Sequence, residues 1–230
     1  MPNRVENNMR LRWRIGRIIA WTLAKPLFNF KVLGQDNLKK DSAQILVANH
    51  RSNMDPFFVA LASGQEVYSM AKQELFHINK FFKWLILFWN AIPLHRGAGA
   101  TEAIKKCSEL LSQGKTVVVF PEGSRNKYDE LMQPFKPGFS YLAINNQVPV
   151  IPVAISGVRE VWHGKLSGLI DKDIAGLSKP LKLKNSKGIT VRFGKPISPN
   201  GRSNNHNGYE QLSMVVQKDI ELLLKEAYAI

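Results

Sequence analysis

The chain has 230 residues, with 32 Lys and Arg against 18 Asp and Glu, a formal charge of +14. That length fits one α/β core of ~200 residues, and the charge favours an anionic partner, either nucleic acid or an acidic lipid surface. The single cysteine, Cys107, excludes an intramolecular disulfide and fits a reducing compartment.

Residues 9–25 mix arginines with Trp13, Trp21 and aliphatic residues ahead of Pro26. The longest uncharged run there is the seven residues from Ile18 to Ala24, far short of the ~20 needed to span a bilayer. A basic helix with tryptophan and isoleucine on its apolar side is expected to lie in the headgroup region of an anionic membrane. An amphipathic helix packed on its own domain is the other reading. The short apolar core, followed by Lys25-Pro26, argues against a cleaved secretory signal. Residues 1–30 are therefore read as a membrane-docking segment and 31–230 as an α/β domain.

Strands are expected near 31–34, 44–49, 67–71, 91–94, 115–119, 148–155 and 189–194. Helices are expected near 56–63, 80–89, 99–113, 137–146 and 207–228. The pattern predicts a mixed, largely parallel sheet flanked by helices. Residues 159–188 hold Gly, Lys and Asp around short apolar pieces and are expected to form a variable loop or cap.

The first informative turn follows the run Gln44-Ile45-Leu46-Val47-Ala48, which reads as a buried strand ending at Asn49-His50-Arg51-Ser52-Asn53-Met54-Asp55-Pro56. Asp55 reads as the N-cap of the next helix, with Pro56 at its first position. His50 and Asp55 then flank a strand-to-helix turn at the edge where open α/β sheets bind ligands. A carboxylate on Nδ1 would leave Nε2 to accept a proton. An isolated pair of this kind can equally be a helix cap beside a polar loop residue.

Further along, Phe81-Phe82-Lys83-Trp84-Leu85-Ile86-Leu87-Phe88-Trp89 is an apolar patch with one charge, too short to span a membrane. Core packing, an acyl-chain tunnel and a bilayer-dipping element all remain open for it. Asn90-Ala91-Ile92-Pro93-Leu94-His95-Arg96 delivers an arginine after a short strand. Cys107 sits with Ile104, Leu110 and Leu111 on the apolar side of the 99–113 helix, which points to a core role. Val117-Val118-Val119-Phe120-Pro121-Glu122-Gly123-Ser124-Arg125 is a second buried strand, running into a turn that carries a glutamate and an arginine. The strand at 148–155 holds Pro149 and Pro152, which suggests an edge or bulged position lining a groove.

These blocks, in this order, resemble the glycerolipid acyltransferase family, which includes the 1-acyl-glycerol-3-phosphate acyltransferases. The family's NHxSxxD block is matched by Asn49, His50, Ser52 and Asp55, and its FPEGTRS-like block by Phe120-Pro121-Glu122-Gly123-Ser124-Arg125, with serine at the usual threonine. Phe135-Lys136-Pro137-Gly138 looks like the FKxG segment that follows, and Arg96 matches the arginine closing the second block, although the residues before it are less typical. The resemblance spans about residues 30 to 197.

The resemblance implies acyl transfer from acyl-CoA or acyl-carrier protein to lysophosphatidic acid, at the cytoplasmic face of the cell membrane, by a peripheral or monotopic protein. His50 would be the general base and Asp55 its orienting partner. Arg96, Glu122, Gly123 and Arg125 would bind the glycerol phosphate, with Glu122 read as fixing Arg125 or the loop backbone because it would repel a dianion. Ser52 and Lys136 are candidate substrate or oxyanion contacts. A histidine's ordinary pKa, about 6.5, suits a general base at neutral pH, and a guanidinium grips phosphate through two parallel hydrogen bonds.

His77, His95, His163 and His206 lack metal-ligand spacing, and no CxxC or HExxH occurs, so no metal is expected. No Walker loop or GxGxxG follows a strand, so no cofactor is expected beyond the acyl donor. Two other classes stay open: another lysolipid acceptor, or a non-catalytic membrane-binding module. Nucleic-acid binding through the positive charge has no RNP-like motif or zinc pattern behind it.

Overall fold

A computed structural model of the chain describes residues 11–40, 42–94, 99–126, 130–158, 160–161 and 188–228. In chain order the elements are α1 (Leu11–Phe28), β1 (Lys31–Leu33), β2 (Gln44–Ala48), α2 (Asp55–Ser63), β3 (Val67–Lys72), α3 (Lys80–Phe88) and β4 (Ala91–Leu94). They continue with α4 (Gly99–Ser112), β5 (Thr116–Val119), α5 (Gly138–Asn146), β6 (Val150–Ser156), β7 (Thr190–Phe193) and α6 (His206–Tyr228). All seven expected strands are present. The cap expected over 159–188 lies almost entirely outside the described residues.

The strands form one sheet in the order β1-β7-β6-β2-β5-β3-β4. β6, β2, β5, β3 and β4 run parallel, and β7 pairs antiparallel with β6 while β1 runs parallel to β7. The fold is thus the expected mixed, largely parallel sheet. Successive strand residues point to opposite faces: Leu46 and Ala48 enter the core beneath α1, α2 and α3, whereas Ile45 and Val47 enter the one beneath α4, α5 and α6. Burial on both faces explains why these strands read as unbroken apolar runs.

Two local expectations are corrected. β6 is not at an edge; it is fully buried between β7 and β2, although its pairing slips by one residue beside Pro152, where Val150 meets Ile197. Pro152 is tolerated because it faces Gly194, just past the end of β7, where its carbonyl still accepts from the Gly194 N–H at 2.8 Å and the missing donor falls at the register slip before Val150 pairs with Ile197. The N-cap of α2 is Met54, with Asp55 already the first helical residue. α1 runs through Pro26 to Phe28, since a proline in the last turn removes one hydrogen bond without unwinding the rest.

α1 is stitched to the sheet layer. Trp13 and Ala24 are buried in the same core as Phe58 and Leu61 of α2, and Trp13 packs edge-on against Trp89 with ring centroids 5.3 Å apart. Arg17 Nε donates to the Leu61 carbonyl, and Gln35 Nε2 to that of Ala62. Both thereby cap the C-terminal end of α2, where unpaired carbonyls carry partial negative charge.

Candidate active site

Strand register assembles the site. Val47 of β2 pairs with Val119 of β5 in a parallel ladder, so three residues beyond each pair stand His50 and Glu122, on neighbouring loops at one sheet edge. The Glu122 carboxylate uses both oxygens on backbone donors: Oε1 accepts from His50 N at 2.6 Å and Oε2 from Gln133 N at 2.8 Å. The His50 carbonyl accepts from Asn126 N at 2.7 Å. Both polar atoms of the His50 main chain are therefore held by the loop after β5.

The ring is held as well. His50 Nδ1 lies 3.0 Å from Asp55 Oδ2, which makes Nδ1 the donor and leaves Nε2 as the acceptor. The same Asp55 oxygen accepts from Arg51 N at 2.6 Å and Ser52 N at 2.7 Å. Asp55 does not cap its own helix; it closes the turn that precedes it. Phe120 packs against the imidazole with centroids 4.4 Å apart, which limits the ring's rotation. Asp55 is 1 % exposed and the His50 side chain 17 %, a shielded carboxylate beside an accessible base.

Other sequence-predicted residues divide clearly. Ser52 is buried and its Oγ accepts from Met54 N at 3.2 Å, so the hydroxyl serves the turn rather than the open side of the site. Gly123 has φ +72, the left-handed region that favours glycine. The Lys136 ammonium stands 3.0 Å from where a β-carbon on Gly123 would lie. A side chain there would meet both strain and Lys136.

Arg125 is half-buried, and burial depresses its guanidinium pKa while the nearby Asp55 charge opposes the shift. Glu122 is pushed upward, first by burial and further by the Asp55 charge, against the two backbone donors and the charge of His50. β4 ends at Leu94 on the same edge, but Arg96 lies outside the described residues. Among the described residues no three His, Cys, Asp or Glu side chains converge as a metal site would require.

Two residues that matter here carried no functional assignment from sequence. Asn49 exchanges two hydrogen bonds with the Ile155 main chain, at 2.9 and 2.8 Å, extending β2–β6 pairing past the strand end. Asn126, 1 % exposed, donates through Nδ2 to the Glu130 carbonyl at 2.9 Å while its N–H holds His50. In both cases the partner is main chain distant in sequence or across a loop, which leaves no local motif. Asn49 was visible only as part of the first block.

The arrangement provides an oriented imidazole base next to cationic groups. The family model described as Acyltransferase matches residues 29–156, more than half of the chain. A chloroplastic 1-acyl-sn-glycerol-3-phosphate acyltransferase of Brassica napus is 30% identical over 174 residues, covering 70% of this chain and 50% of its own. An enzyme of that description from Streptococcus pneumoniae is 29% identical over 190 residues, covering 81% and 62%. The chain spans about half the length of the first of these relatives. The crystal structure of a 1-acyl-sn-glycerophosphate acyltransferase from Thermotoga maritima superposes with a TM-score of 0.65 at 26% identity, covering 95% of this chain and 79% of that one.

Proposed function

The chain belongs to the acyltransferase family, and from that premise we propose that it moves a fatty acyl group from acyl-CoA or acyl-carrier protein to the free sn-2 hydroxyl of 1-acyl-glycerol-3-phosphate, giving phosphatidic acid. The observation that carries the reading is the 3.0 Å contact between His50 Nδ1 and Asp55 Oδ2. It fixes the tautomer in which Nε2 can take a proton.

Nε2 removes the proton from the acceptor hydroxyl as that oxygen attacks the thioester carbonyl. The tetrahedral intermediate collapses, the carbon–sulfur bond breaks, and the imidazolium returns its proton to the leaving thiolate. The products are an ester and a free thiol; no acyl-enzyme forms and no cofactor is needed. Asp55 stabilises the imidazolium while it lasts.

Arg125 and Arg96 bind the glycerol phosphate in this reading, and Glu122 holds the turn through its two backbone bonds. Lys136, beside Gly123, is the cation available to the phosphate or the developing oxyanion. The reaction takes place at the cytoplasmic face of the cell membrane, with α1 on an anionic lipid surface.

The test is thiol release from long-chain acyl-CoA or acyl-carrier protein, with and without lysophosphatidic acid. Acceptor-dependent release is expected, falling by about a hundredfold to ten-thousandfold in His50→Ala. Arg125→Ala should raise the acceptor KM far more than the donor KM. Release that does not depend on the acceptor, or that survives in His50→Ala, overturns the mechanism. Release with another lysolipid alone would reassign the acceptor.

A further inference from the structure

On α1, Leu11, Ile15, Ile18, Ile19, Leu23 and Leu27 are all solvent-exposed, Leu11 at 72 % and Ile18 at 62 %. Their spacing of i, i+4, i+7, i+8, i+12 and i+16 draws a continuous stripe along one side of a helix. The tryptophans lie elsewhere: Trp13 is buried and Trp21 packs on Phe30. This corrects the expected apolar side, which is aliphatic and points away from the domain.

α3 extends that surface. Gly16 of α1 has no side chain where the Phe88 ring of α3 approaches, and a β-carbon there would collide with it. Phe88 in turn stacks on Trp84 with centroids 5.5 Å apart. Trp84 is 57 % exposed and Leu87 45 %, and both stand on the outer side of α3 with Lys80 and Lys83. Neither helix contains an acidic residue; on α1, Arg14 and Lys25 are exposed, whereas Arg17 is turned onto the end of α2.

Isolated surface apolar residues need no explanation, but eight large ones across two packed helices do. A protein partner of ordinary composition would be indifferent to the charge pattern. An anionic bilayer accepts both parts, aliphatic side chains among the acyl chains and cations among the headgroups. Tryptophan prefers the boundary between them.

We propose that α1 and α3 form one composite membrane-docking face, with the α1 aliphatic stripe and Trp84 and Leu87 of α3 entering an anionic leaflet together. The inference rests on the surface reading given above for α1 and assigns the second element, which the sequence left open between core, tunnel and bilayer. It also places the outer side of α3, between β3 and β4, at the lipid surface.

The experiment measures partition of the full chain onto phosphatidylglycerol–phosphatidylcholine vesicles. It compares wild type, the α1 pair Ile18→Glu with Leu23→Glu, and the α3 pair Trp84→Glu with Leu87→Glu. A parallel assay follows acyl transfer between monomeric short-chain substrates. Each pair is expected to lower partition by at least about tenfold, since a charge placed among acyl chains is strongly disfavoured, and to leave transfer between monomeric substrates unchanged.

Wild-type partition by the α3 pair would overturn the composite face. Unchanged partition with lost monomeric activity would do so too, by placing Trp84 and Leu87 in the acyl-chain site. Loss of partition on phosphatidylcholine alone, equal to the loss on mixed vesicles, would remove the argument from charge. Failure of acyl transfer by wild type, with vesicle partition intact, would count against the proposed activity and leave the docking face standing.

Discussion

The peptide group of His50 is gripped as firmly as its ring. Glu122 takes the N–H and Asn126 the carbonyl, so the base cannot shift along the sheet edge without breaking two short hydrogen bonds. Glu122→Gln isolates this effect, because the amide keeps one acceptor oxygen and turns an –NH2 towards either His50 N or Gln133 N. A lost charge-assisted hydrogen bond is worth roughly 1.5–3 kcal/mol, so kcat should fall by about tenfold to a hundredfold with little change in either KM. A matching rise in KM would place Glu122 on the substrate instead. The pH dependence of stability has a definite sign. Burial raises the Glu122 pKa in the folded protein, so the folded state binds that proton more tightly than the unfolded chain does. Its contribution to stability is complete below the unfolded carboxylate value, about 4.3, and is lost as pH rises through the higher folded value. Urea unfolding across that window should show the wild-type advantage over Glu122→Gln shrinking as pH rises. The dyad itself was legible because His50 and Asp55 sit five apart in one turn, whereas the Glu122 and Asn126 partners depend on the register of β2 with β5. No local pattern reports that register.

Among the elements, the strands were the most readable, since burial on both faces leaves runs such as Ile45-Leu46-Val47-Ala48 with no polar interruption. β6 was read as an edge because two prolines outweighed its uniform burial, although Pro152 falls where the pairing beyond β7 slips register and its N–H is not needed. α1 was legible as a helix but not for which side faces the protein, because its arginines, tryptophans and isoleucines are interleaved and only packing decides among them. Packing turns on Gly16. Replacing it with valine forces a branched side chain into the Phe88 ring, and overpacking of this kind costs about 1–3 kcal/mol. Thermal unfolding of Gly16→Val, Phe88→Ala and the double variant should give a non-additive cycle, with Phe88→Ala relieving part of the valine penalty. Additive losses would mean that α1 and α3 do not share this contact in solution. Retained vesicle partition in Phe88→Ala alongside a lower melting temperature would separate the stability of the helix pair from its lipid affinity.

At the scale of the whole molecule, the +14 charge and the apolar stripe make different demands on ionic strength. No helix among the described residues is long and apolar enough to cross a membrane; the proposed docking face combines partial burial with attraction between exposed charges. Exposed charges are screened: raising salt from about 0.01 to 0.1 M shortens the Debye length from about 30 to 10 Å. The Asp55 carboxylate, at the other extreme, is enclosed by the turn it closes and feels little of that change. Partition onto anionic vesicles should therefore fall steeply over this salt range, while kcat on monomeric substrates stays level. Two titrations read the two quantities, co-sedimentation for partition and thiol release for chemistry. Partition that ignores salt would assign the affinity to Leu11, Ile18, Trp84 and their neighbours alone and leave the cations without a lipid role. A kcat that falls in step with partition would show that the catalytic turn depends on docking. In that case the connection would run through α2, which carries Asp55 at its first turn and is capped at its last by Arg17 from α1.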